Sequence, residues 1–219
     1  MLVRSKVKVA VRVHSSYNSQ MKPALLIDFD GTLCHDRFWR SLEPAENREA
    51  VQRFVFAENK ELVGEWMKGK LSSEEVNHLV ADRLQIDYQS LWYTFVSDCT
   101  AMKVDAADLK RIAILKKTYN VILITDNMDS FERFTVQALK LKDHFDVIIS
   151  SSSEGVFKNE DGGALIRIAL ERAGSAARGS VFIDNSPKTC ALFDEMRGRS
   201  LLVTKESPLS HWLDLLSSV

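Results

Sequence analysis

The feature that most constrains this chain is a set of five short apolar runs separated by helical patterns. They are "LLID" from Leu25, "VILIT" from Val121, "DVIIS" from Asp146, "SVFID" from Ser180 and "SLLVT" from Ser200. Behind the second run, Phe131, Phe134, Ala138 and Leu139 fall on one helical face, and Asp129 and Glu132 have the spacing of a capping box. Behind the third, Ala164, Leu165, Ile168 and Ala169 share a face that excludes Arg167 and Glu171. Strands alternating with amphipathic helices predict an α/β fold, a parallel sheet covered by helices on both faces, with sites just beyond the carboxyl ends of the strands. Asp28, Thr125 and Asp184 lie at or near such ends.

The long interval between the first two runs reads as helical. Pro44 suits a first helical turn, with Val51, Phe54, Val55 and Leu62 following at roughly helical spacing. Ser72 and Glu75 form a capping box before Val76, Leu79, Val80 and Leu84, and Asp105 is placed to cap a helix through Leu109 and Ile112. Residues 36–102 are therefore expected to be a helical insertion, and residues 23–35 with 103–219 the sheet-bearing core. Most of the insertion's aromatic residues are expected to form its own core.

Residues 1–22 are expected to be a dispensable extension. Val7, Val9, Val11 and Val13 alternate with Lys8, Ala10 and Arg12, a strand period rather than an amphipathic presequence helix, and Met21 is an alternative start. A formal net charge of -1, with no block of like charge and no membrane-length apolar run, points away from nucleic acid and membranes and toward small partners. Cys34, Cys99 and Cys190 are odd in number and far apart, which suits reduced thiols in a cytoplasmic protein.

The first run ends in "DFDGT", two acids separated by one residue and followed by Gly31 and Thr32. Asp is a poor strand former, and a buried carboxylate is costly unless paired, hydrogen-bonded or bound to a metal. In an extended strand Asp28 and Asp30 would face the same side; a turn after Asp28 would let them straddle a ligand.

An apolar strand ending in DxDGT resembles the first motif of the haloacid dehalogenase-like hydrolase superfamily, and the resemblance runs from Ala24 nearly to the end of the chain. Thr125 is similar to that family's second motif, Lys158 in "GVFKNED" to its third and Asp184 in "VFIDNSPKT" to its fourth. The resemblance implies a Rossmann-like core with a helical cap and, in the phosphatase branch, an aspartyl-phosphate mechanism. Asp28 is then the nucleophile and Asp30 the general acid/base. It further implies that Asp28, the Asp30 carbonyl and Asp184 hold Mg²⁺. Thr125, Lys158 and neighbouring backbone N–H groups, Asp126 among them, would hold the phosphate.

Asn185 and Lys188 stand where the fourth motif often carries a second acid, so Asn185 is expected at most to hydrogen-bond a metal-bound water. Phe38, Trp39 and Arg40, close behind the first motif, are the insertion residues expected to face a small phosphorylated substrate. A phosphomutase, a phosphonatase and a catalytically attenuated binding protein on the same fold are the alternatives.

Overall fold

The computed structural model describes residues 21–218, so the period-two segment Val7–Val13 lies outside the described residues. Strand β1 (Ala24–Asp28) is followed by four helices, α1 (Ala45–Gln52), α2 (Lys60–Met67), α3 (Ser73–Leu84) and α4 (Tyr88–Thr100), with a π-helical segment, Arg53–Glu58, between α1 and α2. The chain continues through α5 (Ala106–Leu115), β2 (Asn120–Thr125), a π-helical turn (Phe131–Thr135) running into α6 (Val136–Ala138), β3 (Val147–Ser150) and α7 (Ser151–Glu154). It ends with α8 (Ala164–Arg172), β4 (Val181–Asp184), α9 (Pro187–Glu195), β5 (Arg199–Leu202) and α10 (Leu209–Ser217).

The five strands are all parallel, in the order β3-β2-β1-β4-β5. Alternation along β1 divides the core into two layers. Leu25 and Ile27 face Ile112 and Leu115 of α5 and Leu209 and Leu213 of α10, whereas Ala24 and Leu26 face Leu165, Ile166 and Ala169 of α8 and Phe193 of α9. Every residue of β1 is buried, as the middle strand of a doubly covered sheet must be. No helix among the described residues is long and apolar enough to cross a membrane.

The helices between β1 and β2 enclose an aromatic cluster in which Phe38, Trp39, Trp66 and Phe95 pack with ring centroids 5.1–6.0 Å apart. Ser72 and Glu75 form the expected capping box, and Asp105 caps α5 through Ala107 N. Asp129 and Glu132 form no such box. Asp129 instead accepts from Ser73 Oγ at 2.6 Å, Trp66 Nε1 at 3.0 Å and Arg133 Nη1 at 2.6 Å, and Glu132 accepts from Ser150 Oγ at 2.7 Å. Tertiary donors have claimed both carboxylates.

The face expected after β2 also differs. A π-helical turn carries more residues per turn than an α-helix, so Phe131, Thr135 and Val136 are buried while Ala138 is exposed. Leu79, expected on the buried face of α3, is likewise exposed.

Candidate active site

Three strand ends meet because β1 lies between β2 and β4. Ile27 pairs with Leu123 on one side and Ile183 on the other, so Asp28 and Asp184 leave the sheet at the same level, with Thr125 one step further along β2. Lys158, from the loop after α7, bridges the two acids. Its Nζ donates to Asp28 Oδ1 at 2.7 Å and to Asp184 Oδ2 at 2.8 Å, and all three side chains are buried. Asp184 Oδ1 also accepts from Ser186 N at 2.7 Å. Asp126 anchors the lysine loop, accepting from Lys158 N at 2.8 Å. One oxygen of the Asp126 carboxylate is thereby engaged with the protein.

Beyond Asp28 the chain turns sharply. The N–H groups of Leu33 and Cys34 both donate to Phe29 O, and Gly31 N donates to Cys34 O. Gly31 takes the left-handed φ of 77°, and a Cβ there would lie 2.2 Å from Asn185 Nδ2, so a side chain would be strained and would have to displace the Asn185 amide. Asn185, itself exposed, therefore packs on the loop that separates the two acids. The turn carries Asp30 away from Asp28 to the mouth of the site, where Asp30 Oδ2 accepts from Asn127 Nδ2 at 3.0 Å and Oδ1 from Arg37 Nη1 at 3.4 Å. Of the two arrangements open to the acids in the sequence, the turn is the one adopted.

Removal from water and the neighbouring Asp184 push the Asp28 carboxyl up to about 7, against the pull of Lys158. Burial alone would lower the Lys158 pKa, but Asp28, Asp184 and Asp126 more than offset it and hold the ammonium above the ordinary lysine value. Desolvation raises Asp30 as well, opposed by Arg37 and Lys158. Asp126 is raised for the same first reason.

The hydroxyls of Thr32 and Thr125 are buried without a hydrogen-bond partner. Such orphans are costly, and one beside two carboxylates and an ammonium is a place for a ligand oxygen. Among the described residues no three acidic, His or Cys side chains are gathered in the manner of a metal nest. Two buried carboxylates still carry more negative charge than Lys158 cancels. That donor set fits a hard divalent cation that completes its shell with carbonyl, water and substrate oxygens.

The three insertion residues expected to face substrate point to different surroundings. Phe38 lines a cavity between the core and the insertion that also reaches Asp30. Trp39 is fully buried in the aromatic cluster, donating through Nε1 to Asn77 Oδ1 at 3.2 Å, and Arg40 donates to the carbonyls of Arg37, Asp98 and Ala101. The backbone at Trp39 is left-handed, φ 58°, which turns consecutive side chains to different sides. Asn127 and Arg37, which hold Asp30, were not singled out from the sequence. The available signal was that Asn127 lies two residues beyond a strand-ending Thr in a site loop.

The family model of haloacid dehalogenase-like hydrolases matches residues 22–191. No curated protein matches the sequence. Among solved structures, an HAD family enzyme from Bacteroides thetaiotaomicron, as its magnesium complex, is similar with a TM-score of 0.70 at 18% identity, over 88% of this chain and 98% of its own. The same enzyme with magnesium and inorganic phosphate gives a TM-score of 0.67, also at 18% identity, over 87% and 98%. A 2-haloacid dehalogenase from Pseudomonas syringae pv. Tomato DC3000 gives 0.61 at 16% identity, over 90% and 99%. At these identities the likeness is one of fold.

Proposed function

The chain belongs to the haloacid dehalogenase-like hydrolases, and on that premise we propose that it is a Mg²⁺-dependent phosphatase of a small phosphorylated metabolite. Asp28 attacks phosphorus, forming an Oδ–P bond as the bond from phosphorus to the leaving oxygen breaks. Asp30 gives its proton to that oxygen, releasing an alcohol. Asp30 then takes a proton from water, whose oxygen attacks the aspartyl-phosphate, breaks the Oδ–P bond and frees inorganic phosphate. Lys158 holds Asp28 in place and opposes the charge of the incoming phosphoryl group, which the Thr125 hydroxyl and nearby backbone N–H groups orient. Asp28, the carbonyl of Asp30 and Asp184 would hold Mg²⁺, which when bound supplies positive charge against nucleophile and phosphate. Residues 36–102 act as a cap over the leaving-group side.

One observation carries this reading over its nearest rival. Asp30 is fixed at the mouth by Asn127 and Arg37 with its proton affinity raised, which equips it to protonate a leaving group. Expulsion of halide from a haloacid needs no such proton and leaves Asp30 without a role. The magnesium and phosphate of the Bacteroides complex support the same choice.

Phosphate release from a panel of phosphomonoesters, and chloride release from 2-chloropropionate, should be measured in parallel with Mg²⁺ present. Turnover of at least one phosphomonoester is expected, abolished in Asp28→Asn and reduced about 10²–10⁴-fold in Asp30→Asn. Chloride release without phosphate release would overturn the proposal, as would the absence of any phosphomonoester turnover.

A further inference from the structure

The cavity that reaches Asp30 has a chemistry of its own. It holds about 170 Å³, and its walls are Phe38, Phe56, Val63 and Met67 from the helical insertion and Met128 and Phe131 from the loop and π-helical turn after β2. The polar side chains on its surface are mostly spent on the protein. Asn127 bonds Asp30 and Met128 N; Thr135 Oγ1 donates to Cys99 O; Asp36 Oδ2 accepts from Lys103 N. Arg37 keeps the most donors to spare, and its side chain is half exposed at the mouth.

From this we infer that the alcohol released by the enzyme is small and apolar, of about the bulk of one six-membered carbon ring or a branched chain of five or six carbons, and is not a sugar or a nucleoside. The inference rests on the phosphatase reading for its orientation. The general acid must face the leaving oxygen, so the group attached to that oxygen enters the cavity beside Asp30. Size and polarity then choose among leaving groups. An apolar cavity of about 150 Å³ takes one benzene, whereas a purine nucleoside exceeds this space. Sugar hydroxyls would lose their water here and find few free donors or acceptors in exchange. Each methylene transferred to such a wall strengthens binding about fourfold.

The test compares kcat/KM for benzyl and 3-methylbutyl phosphate with that for glucose 6-phosphate, glycerol 3-phosphate and AMP. All five are esters of primary alcohols, and the sugar and glycerol alcohols are the slightly better intrinsic leaving groups, so chemistry alone would not favour the apolar pair. A preference of at least a hundredfold for benzyl or 3-methylbutyl phosphate is expected. In Val63→Phe, which fills the cavity, that preference should fall more than tenfold. Sugar phosphates or AMP turned over as well as the apolar esters would overturn the inference while leaving the phosphatase reading intact.

Binding of benzylphosphonate and of the phosphonate analogue of glucose 6-phosphate, measured by calorimetry with Mg²⁺, separates the two claims further. If no ester is hydrolysed, the phosphatase reading fails. The pocket chemistry then stands only if benzylphosphonate binds at least tenfold tighter and Val63→Phe abolishes the difference; equal or reversed affinities overturn it.

Discussion

Replacing Lys158 with methionine is the most searching perturbation of this site, because the ammonium is the only cation bonded to either Asp28 or Asp184 among the described residues. Methionine keeps the bulk of the side chain and removes two charge-assisted hydrogen bonds of 2.7 and 2.8 Å from a cluster that water hardly reaches. Removing one partner of a buried ion pair costs about 3–5 kcal/mol, and at about 2–4 °C per kcal/mol the melting temperature should drop by roughly 6–20 °C. The deficit should depend on pH in a definite direction. Asp28 already sits at about 7 with the lysine present, and losing the lysine raises it further. Below pH 7 both folded proteins hold the Asp28 proton, so the difference between them is flat. Above pH 7 the parent releases that proton and the variant keeps it, although the unfolded chain has lost it near its ordinary value of 3.8. The variant therefore loses a further ~1.4 kcal/mol for each pH unit up to its new pKa. Urea unfolding of both proteins at pH 6 and pH 8 in chelator measures this directly. A deficit under about 1 kcal/mol, or one equal at the two pH values, would refute the claim that Lys158 compensates an ionised Asp28.

Gly31→Ala should cost about 1–3 kcal/mol and most of the turnover, because φ 77° strains any Cβ and the methyl would drive Asn185 off the loop between the acids; a variant with parental stability and activity in urea unfolding and phosphate-release assays would contradict this. Magnesium should raise the melting temperature with a midpoint about tenfold higher at pH 6 than at pH 8, since a carboxyl at about 7 is only about a tenth ionised at pH 6; coincident titrations would remove Asp28 from the ion's ligands. Asp129→Ala strips the acceptor from Trp66 Nε1, Ser73 Oγ and Arg133 at once and should destabilise the protein by about 3 kcal/mol. A loss below about 1 kcal/mol in chemical denaturation would show that the contact does not tie the insertion to the core.

The chemistry-bearing end of this molecule is legible in its sequence because it hangs on strands. Asp28, Thr125 and Asp184 terminate apolar runs whose strand character is local, and a parallel sheet brings such ends together without help from distant contacts. The helical insertion is legible only in outline. Whether Phe38 or Trp39 meets the cavity is decided by a left-handed residue at Trp39, a conformation no period in the sequence announces. The helix after β2 shows a second reason. Its apparent α-period assigned Ala138 to the core, but a π-helical turn rotates the face so that Phe131 lines the cavity and Thr135 and Val136 are buried. Asp129 carries the spacing of a cap, yet its partners Trp66 and Ser73 come from over fifty residues away. Side-chain partners at that separation leave no local trace.

The same division between strand ends and insertion separates the charged groups of the site from the apolar cavity. Around the attack point, Asp28, Asp30, Asp126 and Asp184 are opposed by Lys158 in the interior and by Arg37 at the half-exposed rim. That neighbourhood carries more negative than positive charge before any phosphate arrives, so a phosphate dianion would be repelled unless a divalent cation entered with it. On the proposed reading, affinity for the ion and affinity for phosphate are therefore coupled, and each site is weak without the other. Arg37 is the one residue of the insertion that enters this electrostatic arrangement. Phe38, Phe56, Val63 and Met67 line the space beyond Asp30 and make no ion pair with the site's charges, so on the proposed reading changes to these side chains alter which alcohol fits without removing a charge that acts on phosphorus.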